Sequence, residues 1–109
     1  MESFCFIEKD WKTNRTYDDN FSMIPKKSGV YLLVNSILSK DLQSISHEIL
    51  YVGSTQNLNV RYNKHSTFRV LKQVYGDTVR FYFKETDNYL EEEKVLIKKT
   101  QARFNKQWL

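Results

Sequence analysis

The sequence is poor in the residues that usually cross-link or interrupt a small protein, with one cysteine, one proline and three glycines in 109 residues. A single cysteine, Cys5, excludes an internal disulfide and a zinc site built from cysteines. No apolar run is long enough for a membrane span, and the opening "MESFCFIEKDWK" lacks the basic start and apolar block of a signal peptide. These absences predict an intracellular protein with no membrane partner.

What is present is typical of one folded domain. Hydrophobic residues make up 40% and aromatic residues 15% of a chain whose length suits a single compact unit. The formal net charge of +4 biases the surface toward polyanions without identifying which one. We expect an N-terminal arm, residues 1–23, that packs Phe4, Phe6 or Trp11 onto a domain of residues 24–109.

Three segments have the pattern of β-strands. "GVYLLVN" is apolar almost throughout, as expected of a strand covered on both faces, and "EILYVG" is the second strand. "TVRFYFK" alternates apolar and polar residues, which predicts a half-exposed strand. The polar residues 36–47 are predicted to be a long connection between the first two strands.

Three segments predict helices. "TQNLNVRYNKH" has Ser54 or Thr55 as a candidate N-cap, and "FRVLKQVY" is stopped by Gly76. "YLEEEKVLIKKTQ" follows Asp87 or Asn88, with its acids first and its lysines last, as the helix dipole favours. The predicted fold class is α+β, a small three-stranded and mainly antiparallel sheet flanked by helices.

Two tyrosine–glycine pairs on the strands carry the first functional signal. Gly29 and Tyr31 are two residues apart and therefore lie on one face of the first strand, and Tyr51 and Gly53 do the same on the second. In an antiparallel pairing with Tyr31 opposite Tyr51, the two glycines also face each other. This predicts two phenols beside a bare patch that a ligand backbone can approach. The alternative is a pair of core tyrosines and a pair of turn glycines.

Charged residues on the predicted helices add to this signal. Arg61 and His65 are four apart and share a helix face that can turn toward the tyrosines. The alternative is a solvated arginine and an ordinary surface histidine. Glu93 lies on the apolar face of the last helix, where a carboxylate needs a partner or a metal. Glu91 and Glu92 are expected in solvent.

Together these elements resemble the GIY-YIG endonuclease family. The two tripeptides that give the family its name are present as "GVY" at residues 29–31 and "YVG" at residues 51–53. "YVGSTQNLNVRYNKH" is similar to the second family block, with the expected arginine at Arg61 and the frequent histidine at His65.

The end of the chain also resembles this family. "LEEEKVLIKKTQARFN" is similar to its closing block, with the metal-binding glutamate at Glu93 and the asparagine at Asn105. This block most resembles the nuclease domain of bacterial excision-repair incision subunits. One departure is Ala102, where many members have proline, and this puts in question how rigidly Asn105 is presented.

The resemblance implies an endonuclease that hydrolyses phosphodiester bonds in DNA with one divalent cation, Mg²⁺ or Mn²⁺. Glu93 would hold the cation and Arg61 would bind the nonbridging phosphate oxygens. Tyr31 is the candidate general base or water-orienting phenol, with Tyr51 as its hydrogen-bond partner. His65 could relay or accept the proton instead, and the sequence leaves this choice open.

The remaining expectations concern substrate contacts and assembly. Asn105 would brace the site or a metal-bound water, and DNA contacts are expected at Gly29, Gly53, Ser54 and Lys64. Since one active site cuts one strand, a double-strand cut would need a homodimer or two encounters. An alternative of a different class is a catalytically silent module of the same fold that binds nucleic acid or another protein.

The basic composition predicts that DNA binding is mainly electrostatic. Affinity should fall steeply as salt rises, because each neutralised phosphate releases counterions, with a log–log slope of about −0.9 per contacted phosphate. Titrations of a labelled duplex at several salt concentrations measure this slope. A slope near zero would remove the nucleic-acid interpretation.

Overall fold

The computed structural model describes residues 11–14, 24–39, 41, 45–76 and 78–106 of the chain. Its strands are β1 (Lys12–Asn14), β2 (Gly29–Leu38), β3 (Ile45–Thr55) and β4 (Val79–Glu85). Its helices are α1 (Leu58–Lys64), α2 (Ser66–Tyr75), α3 (Tyr89–Thr100) and α4 (Arg103–Lys106). Within these ranges no helix combines the length and the hydropathy that crossing a bilayer requires.

One antiparallel sheet organises the molecule, with the strand order β1-β4-β2-β3. Its three long strands are the three that the sequence predicts, and helices flank them, so the predicted α+β fold is confirmed. β1 comes from the predicted arm and adds a short fourth strand beside β4. β2 lies between two neighbours, and its first seven residues are buried on both faces, as their apolar pattern predicts.

The alternation of side chains divides the interior into two cores. The first core lies between the sheet and the helices α1 and α2, and contains Ile24, Tyr31, Leu33, Leu50, Leu58, Tyr62, Phe68, Leu71, Val79, Phe81 and Phe83. The second lies between the sheet and α3, and contains Trp11, Val30, Leu32, Val34, Ile49, Val52, Leu96 and Ala102. The arm therefore packs through Trp11, while Phe4 and Phe6 lie outside the described residues.

The predicted register of β2 and β3 is wrong by two residues. Tyr31 lies opposite Gly53 rather than Tyr51, and Gly29 lies opposite Thr55. A shift of two leaves every side chain on its predicted face, because a strand repeats every two residues. The mirror-image tripeptides therefore predict the faces correctly and the partners incorrectly.

A β-bulge interrupts β3 just before its tyrosine. The pairing passes from Leu33 opposite Tyr51 to Val34 opposite Ile49, which leaves Leu50 as the extra residue. Leu50 and Tyr51, although consecutive, both contact the first core. The bulge bends β3 where its tyrosine–glycine segment begins, as bulges near ligand sites often do.

Both ends of the connection predicted at residues 36–47 belong to the paired strands β2 and β3. β2 and β3 remain paired as far as Leu38 and Ile45. Beyond Asn35, β2 no longer pairs with β4, so this outer part of the hairpin is a two-stranded ribbon. The polar composition favours a loop, but it does not prevent the backbone hydrogen bonds that continue the ladder.

The end of α2 and the start of α3 agree with the prediction, whereas the start of α1 does not. α2 ends at Gly76, whose φ of 87° suits glycine, and α3 begins after Asn88. α1 begins later than predicted, because β3 continues through Thr55. Its N-cap is Asn57, whose side chain accepts a hydrogen bond from the Val60 N–H at 3.2 Å.

Candidate active site

Tyr31 projects from β2 into the first core and is only 1% exposed. Its ring stacks on Phe81, with the two centroids 5.1 Å apart. On β3 its neighbour is Gly53, where an added Cβ would overlap the Tyr31 hydroxyl. The phenol can therefore cross β3 only because this position has no side chain.

The bare patch predicted above the two glycines is wrong, because protein groups fill it. The space above Gly53 holds the Tyr31 phenol. The space above Gly29 holds Leu58 of α1 and the backbone carbonyl of Lys84. Instead of admitting a ligand, the glycines let Tyr31 and α1 pack close to the sheet.

His65 lies at the joint between α1 and α2, as the N-cap of α2. Its Nδ1 accepts a hydrogen bond from the Phe68 backbone N–H at 3.1 Å. An imidazole nitrogen that accepts carries no proton, so neutral His65 carries its proton on Nε2. Nε2 lies 2.8 Å from the Tyr31 hydroxyl. The His65 N–H therefore donates to the phenol oxygen.

Burial determines the resting charge state of this pair. Burial, together with a smaller effect from the nearby charge of Arg61, lowers the pKa of His65 to about 4. Burial raises the pKa of Tyr31, whereas Arg61 lowers it by a smaller amount. Arg61 thus favours the phenolate of Tyr31 but does not outweigh burial. At neutral pH both partners are uncharged.

Tyr51 lies beside this pair but reaches the surface. Its ring centroid is 6.3 Å from that of Tyr31 and 5.5 Å from that of His65, so the predicted neighbouring phenols are confirmed despite the different register. Tyr51 is half-buried, in contrast to Tyr31. Burial, and then the negative charge of Glu93, raises the pKa of Tyr51. Of the two phenols, Tyr51 is the one that solvent can reach.

Arg61 and Lys64 lie on the exposed side of α1. The predicted helical pair of Arg61 and His65 does not form, because α1 ends at Lys64. Arg61 nevertheless acts on the pKa of Tyr31, Tyr51 and His65, which requires its guanidinium to lie near all three. An exposed cation therefore borders the phenols.

Glu93 approaches the same place from α3. Its carboxylate is half-buried, and its Oε1 accepts a hydrogen bond from the Ser54 hydroxyl at 2.8 Å. Its charge raises the pKa of both Tyr31 and Tyr51, so it lies within electrostatic reach of the phenols. The sequence predicts that the Glu93 carboxylate needs a partner or a metal, and the structure provides the Ser54 hydroxyl of β3 as a partner.

The two preceding glutamates differ from each other. Glu91 is exposed, as predicted, and its Oε1 lies 3.7 Å from the Nζ of Lys94. The expectation that Glu92 lies in solvent is wrong, because it is half-buried and forms an ion pair of 3.3 Å with Lys84 of β4. The pattern of α3 alone does not reveal this pair, since its cation comes from a strand.

Asn105 is buried on α4, and its side chain holds β3. Its Oδ1 accepts from the Val52 N–H at 2.7 Å, and its Nδ2 donates to the Val52 carbonyl at 2.9 Å. Val52 is the middle residue between Tyr51 and Gly53. Because both ends of the amide are engaged, Asn105 braces this strand rather than a metal-bound water.

The connection between α3 and α4 contains no proline. α3 ends at Thr100, and its C-cap Gln101 has a left-handed φ of 48°, which turns the chain out of the helix. Ala102 is buried in the second core, and its carbonyl accepts from the Asn105 N–H at 3.1 Å. Alanine at this position therefore still leaves Asn105 firmly held.

Glu93 is the group of this site that suits a metal ion. Among the residues described, no three His, Cys, Asp or Glu side chains come together, so protein ligands would not enclose a cation. Mg²⁺ commonly binds through one or two carboxylates and keeps waters and phosphate oxygens as its other ligands. A half-buried carboxylate that lies within electrostatic reach of the two phenols fits that kind of site.

Sequence reasoning missed two connections within the site. The Phe68 amide fixes the His65 tautomer, and its position three residues after His65 is the spacing of an N-cap bond, a signal present in the sequence. The sequence predicts Ser54 as a candidate helix cap and a DNA contact, whereas in the structure its hydroxyl donates to Glu93. No local pattern joins Ser54 to a helix so distant in sequence.

The family model described as the GIY-YIG catalytic domain matches residues 27–107 of the chain. The match includes all the site residues described above. No curated protein and no solved structure matches the chain.

The neutral His65 should make the fold sensitive to acid. Its pKa is about 4 in the folded chain and 6.5 in the unfolded chain, so folding excludes a proton between these values. The stability that it contributes is complete above about pH 6.5 and is lost as the pH falls toward about 4. In His65→Gln, the fall in Tm between about pH 7 and about pH 5 should be smaller than in wild type.

The matched control is His47→Gln, a change of the other histidine, which should keep the wild-type fall in Tm. ¹⁵N spectra of the imidazoles provide a second measurement, with His65 expected as the Nε2–H tautomer at neutral pH. An Nδ1–H tautomer would contradict the hydrogen-bond assignment.

Proposed function

The chain belongs to the GIY-YIG family, whose nucleases act on DNA, and from this premise we propose that it is a metal-dependent DNA endonuclease. The observation that supports the proposal is the convergence of two phenols, a guanidinium and a carboxylate around residues 51–54 of β3. Hydrolysis of a phosphodiester needs charge compensation on the phosphate and an activated water. These side chains offer both.

Arg61 is the group that we assign to the scissile phosphate. Its guanidinium is exposed, and its fixed fork of donors matches two phosphate oxygens. Lys64, one turn later on the exposed side of α1, extends the positive surface along the DNA backbone. Phosphate contacts of this kind position the duplex without reading its sequence.

Glu93 is the residue that we assign to the divalent cation. Mg²⁺ or Mn²⁺ bound there would compensate charge on the phosphate and stabilise the leaving oxygen. The chain's own contribution is an ionised carboxylate held at the edge of the phenol pair.

Tyr51 is the group that we assign to the attacking water, in place of the role expected for Tyr31. A general base must come within hydrogen-bond reach of the water, about 2.6–3.2 Å. Tyr31 is 1% exposed, and its oxygen already accepts the His65 N–H, whereas Tyr51 is half-buried beside it. Because burial and Glu93 raise the pKa of Tyr51, its phenol would first have to give its proton to solvent, a loss that the charge of Arg61 and a cation held by Glu93 would favour. The resulting phenolate would take a proton from the water, whose oxygen bonds to phosphorus as the bond to the 3′ oxygen breaks. The leaving oxygen then takes a proton from solvent.

His65 is assigned to support rather than proton transfer. Its Nε2 carries a proton and its Nδ1 is engaged by Phe68, so neither nitrogen is available to accept a proton from Tyr31. The pair instead fixes the inner phenol against which the Tyr51 ring lies. The fixed Tyr31 ring limits the motion of the Tyr51 phenol beside it, and such restriction favours a reactive geometry.

The test of the function is cleavage of supercoiled plasmid in Mg²⁺, Mn²⁺ and EDTA. Wild type should cut in either cation and not in EDTA, with relaxed circles reporting single-strand cuts and linear DNA reporting double-strand cuts. Glu93→Gln should lower the rate by ~10²-fold or more, because it removes the ligand charge. Its DNA affinity should be unchanged or slightly higher, since a negative charge near phosphate is lost.

The matched control is Glu91→Gln, which changes an exposed glutamate on the same helix and should cut at the wild-type rate. A wild-type protein that binds DNA and leaves it intact in both cations would overturn the nuclease proposal. That result would favour the silent binding module.

The two tyrosines should respond differently to loss of the hydroxyl. Tyr51→Phe should lower the single-turnover cleavage rate by ~10²–10⁴ with little change in Tm or DNA affinity. Tyr31→Phe should lower Tm, because it leaves the buried His65 N–H without its acceptor at a cost of about 1–3 kcal/mol. Its cleavage rate should fall less. A larger loss of rate in Tyr31→Phe, with unchanged Tm, would return the base role to Tyr31.

A further inference from the structure

The hydrogen bond between Ser54 and Glu93 joins the β3 segment of the site to α3. We propose that Ser54 is a positioning residue, which orients the Glu93 carboxylate for the cation. This inference rests on the proposed function, because it gives the cation to Glu93. It goes beyond that function by assigning the orientation of the ligand to a residue outside the reacting groups.

The direction of the hydrogen bond follows from the chemistry of the two groups. An ionised carboxylate only accepts, so the Ser54 hydroxyl donates to Oε1 across 2.8 Å. A bond from a neutral hydroxyl to a charged acceptor is stronger than one between neutral groups. The bond occupies one lone pair of Oε1 and leaves Oε2 for another ligand.

Glu93 has little else to hold its orientation. Within the described part of the chain, the Ser54 hydroxyl is its one hydrogen-bond partner, and its side chain is only half-buried. A glutamate has three rotatable bonds, and fixing them costs free energy when a ligand binds. A hydroxyl that fixes them in advance moves this cost from metal binding to folding.

Ser54 is itself carried by a rigid element. Its backbone pairs with Val30 on β2, and Asn105 holds the strand two residues earlier, at Val52. Ligands supported by packed strands keep their geometry better than those supported by loops. The hydroxyl therefore provides a fixed reference point for a carboxylate that comes from a different element.

Two effects of the hydroxyl on metal affinity oppose each other. Donation to Oε1 withdraws electron density and weakens the carboxylate as a ligand, whereas fixing the orientation strengthens binding. Removal of groups that orient a metal ligand typically costs ~10–100-fold in metal affinity, so orientation outweighs basicity. Loss of the hydroxyl should therefore weaken binding.

The experiment measures Mg²⁺ affinity in the absence of DNA, from amide chemical shifts during a titration. Ser54→Ala should bind Mg²⁺ about 10-fold more weakly than wild type, and Ser54→Thr, which keeps the hydroxyl, should bind within about 2-fold of it. Ser66→Ala is the matched control, because Ser66 is an exposed serine at the start of α2. Tm values establish that each variant is folded.

Cleavage assays provide a second readout that a purely structural hydroxyl would not move. In Ser54→Ala, the Mg²⁺ concentration for half-maximal cleavage should rise about 10-fold, while the rate at saturating Mg²⁺ changes less. Equal Mg²⁺ affinity in Ser54→Ala and wild type, with only Tm lowered, would overturn the inference and leave the proposed function intact. If Glu93→Gln instead binds Mg²⁺ as tightly as wild type, the assignment of the cation to Glu93 is wrong, and this inference fails with it.

Discussion

The Tyr31 phenol crosses Gly53, and three parts of the fold meet at its ring. The ring stacks on Phe81 of β4, its hydroxyl accepts a hydrogen bond from the N–H of His65, and the Tyr51 ring lies beside it. Because an added Cβ at Gly53 would overlap the hydroxyl, the smallest side-chain addition on β3 would displace the phenol. The strands, the α1–α2 joint and the second phenol thus share one geometric constraint.

Four consecutive residues of β3 connect that constraint to the rest of the site, each through a different group. They are Tyr51 through its phenol, Val52 through its backbone, Gly53 through its missing side chain and Ser54 through its hydroxyl. Because side chains alternate along a strand, Tyr51 and Gly53 face the first core, whereas Ser54 faces α3. The backbone of Val52 faces the outer edge of the sheet, where it binds Asn105. One short segment can therefore hold residues that are as far apart in sequence as Tyr31 and Asn105.

The sequence is sufficient to predict the three long strands and the helices α1, α2 and α3, because apolar periodicity and turn residues are local. β2, β4 and the end of α2 at Gly76 follow from such patterns. The register was not predictable in this way, since a two-residue shift preserves every face and only the bulge at Leu50 and the hairpin length select the partners. The family motif gives the identity of the site residues, whereas their roles depend on burial.

The difference between identity and role is clearest for the two tyrosines. The motif names both equally, but three-dimensional packing leaves Tyr31 almost without solvent and Tyr51 half-buried. His65 is a similar case, because its proton position depends on a backbone amide that belongs to the next helix. Tautomer and access to water are properties of the assembled core and have no counterpart in residue spacing.

The bond pair between Asn105 and Val52 also affects how the molecule meets its neighbours. β3 is the last of the described strands in the sheet, and its outer backbone groups are of the kind that recruit strands from other chains. At Val52 the side-chain amide of Asn105 takes up both the donor and the acceptor, in the manner of a one-residue partner strand. The residue that holds the site in place thereby protects the same edge from intermolecular pairing, and its loss would expose a site for aggregation.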